Sequence, residues 1–557
     1  MYKNVLIILL LILEGCSRSG GDSGKTTPPK LVVFISIDQC RYDYMTRFAR
    51  YFGKGGFNYL LERGANFVNC QYEHAVTKTS VGHAVMMSGT YPRTSGIIAN
   101  HWYDRDQRRL VYSSEDTASP VLGTVPGSNR DGRSPKNFTG NNLGDVLRAH
   151  TGSQSKVFGV SNKDAPAILM SGRSANAAYW MDDKQGGFFT SSYYMKSYPS
   201  WVEQFNHERG YDKWVGAKWE LLLPEENYPA LDTAVMLHYD YPKGWKGSLP
   251  YTVGMDVADT TYYRLLLQSP FSSEALLDFA ERLTIEEKLG SDEVPDILCI
   301  SFSANDEIGH SFGPMSREVM DVTLRTDRYL ARLFKFMDKI VGEDNILYVL
   351  TSDHGVAPIP EGLLKDGIDA GRVKPSVIEK VVQEAMTKKY GKLTTESSYV
   401  GRMANLDLYF NRGALDEKKI DKKDAEDYIS EVLTKSVPQI FQVFTADDLN
   451  HGKVSQDKVS ELVQKSYHVR NSGDVVIVLK PNYVWDRNDV GAEHGSPFSY
   501  DRHVPLILSG PTWIKTGTFG KPCSPADIAP SVAAILGIDN PAGFDGKILS
   551  EAIRFLK

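Results

Sequence analysis

The run Leu31-Val-Val-Phe-Ile-Ser-Ile37 is apolar or β-branched at almost every position and stops on a charged residue, Asp38. A strand that does not alternate apolar with polar must be covered on both faces, which is the situation of a parallel sheet flanked by helices. The same pattern recurs at 156–161, 297–303, 346–352 and 475–479, with 504–509 as a further candidate. Helical periodicity lies between several of these runs. The clearest is 320–340, where Leu324, Leu330, Leu333, Phe334 and Met337 share one face, and the last is 527–536. The chain is therefore expected to be an α/β protein whose central, mostly parallel sheet is flanked by helices, with ligands meeting the carboxyl ends of the strands. Two stretches interrupt the alternation, an aromatic, Gly- and Pro-rich one at about 171–290 and a charged one at about 360–470. Both are expected to be insertions that cap the sheet edge. With 557 residues there is room for them, since one core stops growing at roughly 250–300 residues.

Lys3 precedes the apolar run Val5 to Leu13, which leads into Leu13-Glu14-Gly15-Cys16 and a Ser/Gly-rich linker at 17–30. A charged start with a short apolar core reads as an export signal, too short to span a bilayer comfortably. The Leu-x-Gly-Cys ending resembles a bacterial lipobox, which would make residues 1–16 a cleaved signal with Cys16 lipidated. The alternative is a plain periplasmic signal cleaved nearby. The expected location is the periplasm or the outer membrane, with membrane contact only through the N-terminal lipid. Residues 31–557 form the expected catalytic domain. The net charge of −6 argues against nucleic acid as a stable partner, because phosphate-backbone affinity needs a basic face. The remaining cysteines, Cys40, Cys70, Cys299 and Cys523, lack the close spacing of a cysteine metal cluster.

Polar clusters sit at or just beyond the ends of expected strands: Asp38, Asp306-x-x-x-His310, Asp353-His354 and Glu493-His494-Gly495. Carboxylates and imidazoles that converge from separate parts of a chain are a suitable ligand set for zinc. Each cluster alone is weak, since a strand-end Asp is more often a turn former or helix cap. Val76-Thr-Lys-Thr79-Ser-Val-Gly-His83 then places Thr79 at a helix N-terminus, where free amides favour an anion. Thr79 reads either as a cap or as a nucleophile activated by a metal.

Taken together, Thr79-Ser-Val-Gly-His83, Asn100-His-Trp-Tyr-Asp104, Asp306-x-x-Gly-His310-x-Phe-Gly-Pro314, Ser352-Asp-His-Gly355 and His494 followed by Asp501-x-His-x-Pro-Leu506 resemble the zinc-dependent alkaline phosphatases with a threonine nucleophile, the PafA-like group. The likeness covers nearly the whole chain after the linker. It implies an alkaline-phosphatase-like sandwich, two zinc ions, a phosphothreonine intermediate on Thr79 and small phosphate esters as substrates of a monomeric enzyme. It assigns Asp306, His310 and His494 to one zinc, and Asp38, Asp353 and His354 to the other with Thr79 beside it. Asn100 and Lys163, the latter in Ser161-Asn-Lys-Asp-Ala165, would bind phosphate oxygens. The group carries Lys-x-Arg at that last segment, whereas this chain has Ala165. A forked guanidinium favours a monoester dianion, so its loss leaves a phosphodiesterase or nucleotide pyrophosphatase as the competing activity. Arg173 is the nearest substitute along the sequence.

A sulfatase is disfavoured because no Cys/Ser-x-Pro-x-Arg motif surrounds Thr79. The other class considered is a surface lipoprotein that binds metal or glycan without turnover, which the full set of nucleophile and ligands opposes. The remaining histidines, including His83 and His503, are expected to be structural, as are the aromatics between Tyr193 and Trp201.

Overall fold

The computed structural model describes residues 27–123, 132–228, 245, 249–257, 261–485, 490–538 and 543–556. The export signal and Cys16 lie outside the described residues. Nine strands form the central sheet: β1 (Leu31–Ile37), β2 (Gly64–Phe67), β3 (Val157–Ser161), β4 (Ala177–Met181), β5 (Phe188–Phe189), β6 (Asp296–Phe302), β7 (Ile346–Thr351), β8 (Leu506–Ser509) and β9 (Gly517–Phe519). Their order is β9-β2-β8-β7-β1-β6-β3-β4-β5. The middle of the sheet is parallel: β1 aligns Ile35 with Ile300 of β6 on one side and with Leu350 of β7 on the other, and β3 and β4 continue the run. Antiparallel pairs appear only toward the margins, at β7·β8, β8·β2 and β4·β5.

The apolar run of β1 is explained by its two faces. Leu31, Val33, Ile35 and Ile37 pack into one core, together with the helices Phe271–Glu286 and Arg317–Ile340. Val32 and Phe34 pack into a second core, against the helices Thr79–Ser88 and Ile528–Ile535. Helix, sheet and helix make three layers, as expected from the strand grammar. The expected 320–340 helix is Arg317–Ile340, begun by Ser316, whose side chain accepts from the Val319 amide.

Two expectations need correction. The run 475–479 is a strand, but Val475–Leu479 belongs to a separate four-stranded sheet, between Asp407–Phe410 and Ile440–Thr445, and both pairings are antiparallel. An all-apolar strand reports only that both faces are covered. Here helices such as Pro375–Tyr390 and Lys422–Ser436 cover one face, while Leu449, Leu462 and Val463 pack with Val478 on the other. The stretch 171–290 is also not wholly outside the sheet, since it supplies β4, β5 and the Phe271–Glu286 helix. Its aromatics build core: Phe279 stacks on Phe188 at 4.2 Å and meets Tyr179 edge-on at 5.1 Å. Trp201 packs against the same Phe279. Among the described residues no helix is long and apolar enough to cross a membrane.

Candidate active site

The parallel strands deliver their polar ends to one edge of the sheet. Asp38 and Gln39 follow β1, Asn162 and Lys163 follow β3, Ser352-Asp353-His354 follows β7, and the helix Ala304–Phe312 after β6 carries Asp306 and His310 one turn apart on one face. The nucleophile helix is seated on this edge by backbone contact. A Cβ on Gly82 would lie 2.1 Å from the Asp353 carbonyl oxygen, so the helix can approach the Asp353 loop only with glycine there.

Three imidazoles are oriented alike. His354 bonds Gly355 O through Nδ1 at 2.9 Å, His310 bonds Ala492 O at 2.7 Å, and His494 bonds Thr77 O at 2.7 Å. Each Nδ1 faces a carbonyl that can only accept, so Nδ1 carries the proton and Nε2 presents its lone pair to the site. His310 Nε2 lies 3.2 Å from His494 Nε2 and 3.3 Å from Asp306 Oδ1, and His494 Nε2 is 3.8 Å from that same oxygen. His354 Nε2 lies 3.5 Å from Asp38 Oδ1 and 3.3 Å from Asp353 Oδ2. Ligand atoms of Asp38, Asp353 and His354 lie within 4.8 Å of one another, as do those of Asp306, His354 and His494 and those of His310, Glu493 and His494, so His354 and His494 are each shared between neighbouring groups. Asp38, Asp353 and His354 are fully buried, yet Asp38 Oδ1 and Asp353 Oδ2 have no hydrogen-bond partner. Orphaned buried carboxylate oxygens beside unprotonated imidazole nitrogens fit a divalent cation, and the nitrogen and oxygen donors suit zinc.

The electrostatics show the same demand. Burial, together with the facing carboxylates of Asp306 and Asp353, holds Asp38 well above the usual carboxylate range. Burial likewise lifts Asp353 to about 7. Burial pushes His354 down to about 3, while His310, against the same burial, is raised to about 10 by Asp306 and Glu493.

Thr79 is the first residue of the helix Thr79–Ser88. It does not cap that helix: Lys78 occupies the N-cap and no side-chain cap bond is present. The Thr79 hydroxyl instead lies 3.3 Å from His354 Nε2. Asn100 accepts from the Ser80 amide at 2.9 Å through Oδ1, and its Nδ2 has no hydrogen-bond partner among the described residues. Lys163 Nζ lies 3.2 Å from Asp38 Oδ2, contacts Asp306 Oδ2, and lies 3.3 Å from Glu307 Oε1. Thr79, Lys163 and the expected metal-binding aspartates and histidines thus converge on one edge, with Asn100 beside Ser80.

Ala165 is buried and belongs to the apolar cluster beneath the sheet. Arg173 does not replace the missing guanidinium, for it bonds the Phe138 carbonyl and lies over that ring. Arg133 is closer to the site, paired with Asp164 next to Lys163. His83 bonds Thr79 O and Ser301 Oγ and lies 3.4 Å from Asp353 Oδ2, and His503 bonds Val68 O.

Two residues escaped sequence reasoning. Gln39 sits in the left-handed region at φ 64°, with its backbone amide 3.0 Å from Asp353 Oδ1 and its Nε2 2.6 Å from Asp306 Oδ1, and so links these two carboxylates. Its position directly after Asp38 was the available signal. Glu493, noted only as a neighbour of His494, lies 3.9 Å from His310 Nδ1 and 3.3 Å from Lys78 Nζ. Its carboxylate lies within 4.8 Å of ligand atoms of His310 and His494 and so adds an oxygen donor to that group.

Residues 32–498 match the family of type I phosphodiesterases and nucleotide pyrophosphatases, and the chain belongs to that family, on its PafA-like alkaline phosphatase branch. Alkaline phosphatase PafA of Elizabethkingia meningoseptica is 33% identical over 98% of both chains. Alkaline phosphatase PhoV of Synechococcus elongatus is 34% identical over 94% of this chain and 93% of its own. The crystal structure of wild-type PafA superposes with a TM-score of 0.84 at 31% identity, covering 94% of this chain and 99% of its own.

Proposed function

We propose that the chain is an alkaline phosphatase that hydrolyses small phosphate monoesters through a phosphothreonine intermediate. The observation that carries this reading is the placement of the Thr79 hydroxyl, free of any capping duty, 3.3 Å from His354 Nε2 and beside orphaned carboxylate oxygens of Asp38 and Asp353. Two zinc ions would be held, one by Asp306, His310 and His494, the other by Asp38, Asp353 and His354 with Thr79 beside it. When bound they would supply Lewis-acid stabilisation of the attacking and leaving oxygens. Thr79 Oγ attacks phosphorus as the bond from phosphorus to the ester oxygen breaks; the Thr79 proton passes to solvent, and the leaving alcohol takes a proton from solvent. The Thr79 amide at the start of the Thr79–Ser88 helix and Asn100 Nδ2 donate to the non-bridging oxygens, the Ser80 amide being taken by Asn100 Oδ1, and Lys163 offsets their charge. Water then cleaves the phosphothreonine and restores the hydroxyl. The enzyme is further read as exported and lipid-anchored at Cys16, on the strength of the N-terminal sequence, and as a monomer by analogy with its group.

The buried Ala165 favours a second reading, a phosphodiesterase on the same core. Rates on an aryl phosphate monoester and a diester with the same leaving group, after chelation and metal add-back, test both. A preference for the monoester restored by zinc is expected. Full turnover with magnesium alone would reject the zinc assignment, and a preference for the diester would reject the monoesterase.

A further inference from the structure

Away from the active site, the chain brings two cysteines that are distant in sequence into direct register. Cys70 and Cys523 face each other across an isolated parallel β-bridge. The bridge is held by main-chain bonds on both sides: the Gln71 amide donates to Cys523 O at 2.9 Å, and the Cys523 amide donates to Asn69 O at 3.1 Å. Both side chains are buried, and the Cys523 thiol lies 4.0 Å from Asn69 O, the carbonyl next to Cys70. Adjacent strands run about 4.7–4.9 Å apart, inside the roughly 4.4–6.8 Å window of Cα separations that a disulfide spans. The other two described cysteines lack such a partner. The Cys40 thiol points to Arg41 O and the Cys299 thiol to Met170 O.

We propose that Cys70 and Cys523 are a disulfide-forming pair, closed by exchange with an oxidised dithiol donor. One thiolate attacks the donor disulfide and expels a donor thiolate, giving a mixed disulfide. The second thiolate attacks the protein sulfur of that intermediate, forming the Cys70–Cys523 bond and releasing the donor as a dithiol. The two electrons pass to the donor, and the two thiol protons end on its sulfurs. The cross-link would join the segment leading to Thr79 with the turn that starts the C-terminal helix, where Ser524 and Asp527 form a capping box. That helix, Ile528–Ile535, packs in the same core as Val81 and Val85 of the nucleophile helix. Neither cysteine contacts the site, so the bond acts on stability. It encloses most of the chain and removes freedom from the unfolded state.

The full-length protein is incubated with oxidised glutathione at a denaturant concentration just below its unfolding transition, so that buried thiols open transiently. It is then alkylated in strong denaturant and mapped by peptide mass. The expected result is one linked peptide pair containing Cys70 and Cys523, with Cys40 and Cys299 alkylated. The oxidised protein should lose roughly 5 °C of its melting midpoint on reduction, and the Cys70→Ser/Cys523→Ser double variant should show no such loss while keeping wild-type kcat/KM. Alkylation of both Cys70 and Cys523 after oxidation, or pairing of either with Cys40 or Cys299, would overturn the proposal. The pairing rests on the β-bridge and is independent of the reaction proposed above.

Discussion

Replacing Lys163 by Met keeps the aliphatic stem and deletes one charge from the middle of the site. The ammonium stands 3.2 Å from Asp38 Oδ2 and 3.3 Å from Glu307 Oε1, and also contacts Asp306. At such a distance and an effective dielectric of about 20, one pair is worth about 5 kcal/mol before desolvation. The net value of a hydrogen bond to a charged group is smaller, about 1.5–3 kcal/mol. Applied to a phosphoryl group in the transition state, that is about a 10- to 100-fold fall in kcat/KM. A monoester brings one more negative charge than a diester, so its rate should fall further. The assay compares kcat/KM for an aryl monoester and a diester with the same leaving group, alongside elemental analysis of bound metal. Equal losses on both substrates at unchanged metal content would show that Lys163 merely neutralises Asp38 and Asp306, and an undiminished monoester rate would refute the reasoning outright.

Thr79→Ala should abolish steady turnover with little change in melting midpoint, because no cap bond is lost, whereas Thr79→Ser should retain activity. Near-normal hydrolysis by the alanine variant would remove Thr79 from the mechanism. Ala165→Arg should lower the melting midpoint, since the side chain starts inside a packed apolar cluster and overpacking costs about 1–3 kcal/mol. A higher ratio of monoester to diester kcat/KM at unchanged stability would instead show that position 165 reaches the phosphate. Burial raises Asp407 to about 7, against the Gly473 amide and Arg105. An unfolded carboxyl titrates near 4, so this group costs no stability below about pH 4, costs more as pH rises, and reaches its full penalty above about 7, at most about 4 kcal/mol. Asp407→Asn keeps the acceptor for the Gly473 amide and cannot ionise, so its advantage in melting midpoint should grow from pH 4 to pH 8. An advantage independent of pH would contradict the shift.

The site was more legible in the sequence than the architecture around it. Asp38, Asp306 and Asp353 were visible because each follows an apolar run, and strand ends are where a parallel sheet concentrates ligands. His494 was visible as part of the Glu493-His494-Gly495 cluster, yet it arrives after the separate four-stranded sheet and not from the end of a central strand. The strand Val475–Leu479 was misplaced because apolar continuity records coverage of two faces and not which sheet supplies the neighbours. The aromatic stretch around Tyr179 and Phe188 was taken for cap because β4 and β5 are short and interrupted, too brief for periodicity to show. Gln39 was missed for another reason. Its role depends on a left-handed backbone that glutamine rarely adopts, and side-chain identity gives no warning of it.

The contact at Gly82 separates two properties that are usually entangled. Where a reactive side chain is positioned by packed side chains, any repacking of the core shifts it, and activity drifts with stability. Here the distance between the nucleophile helix and the Asp353 loop is set by main chain against main chain, with no room for a methyl group between them. Substitutions elsewhere in the core beneath the helix, at Ile528, Val532 or Ile535, can therefore erode the melting midpoint without moving the Thr79 hydroxyl. The chain can accumulate neutral variation in its core while its chemistry stays fixed, and a designer can exploit the same freedom to raise its heat tolerance.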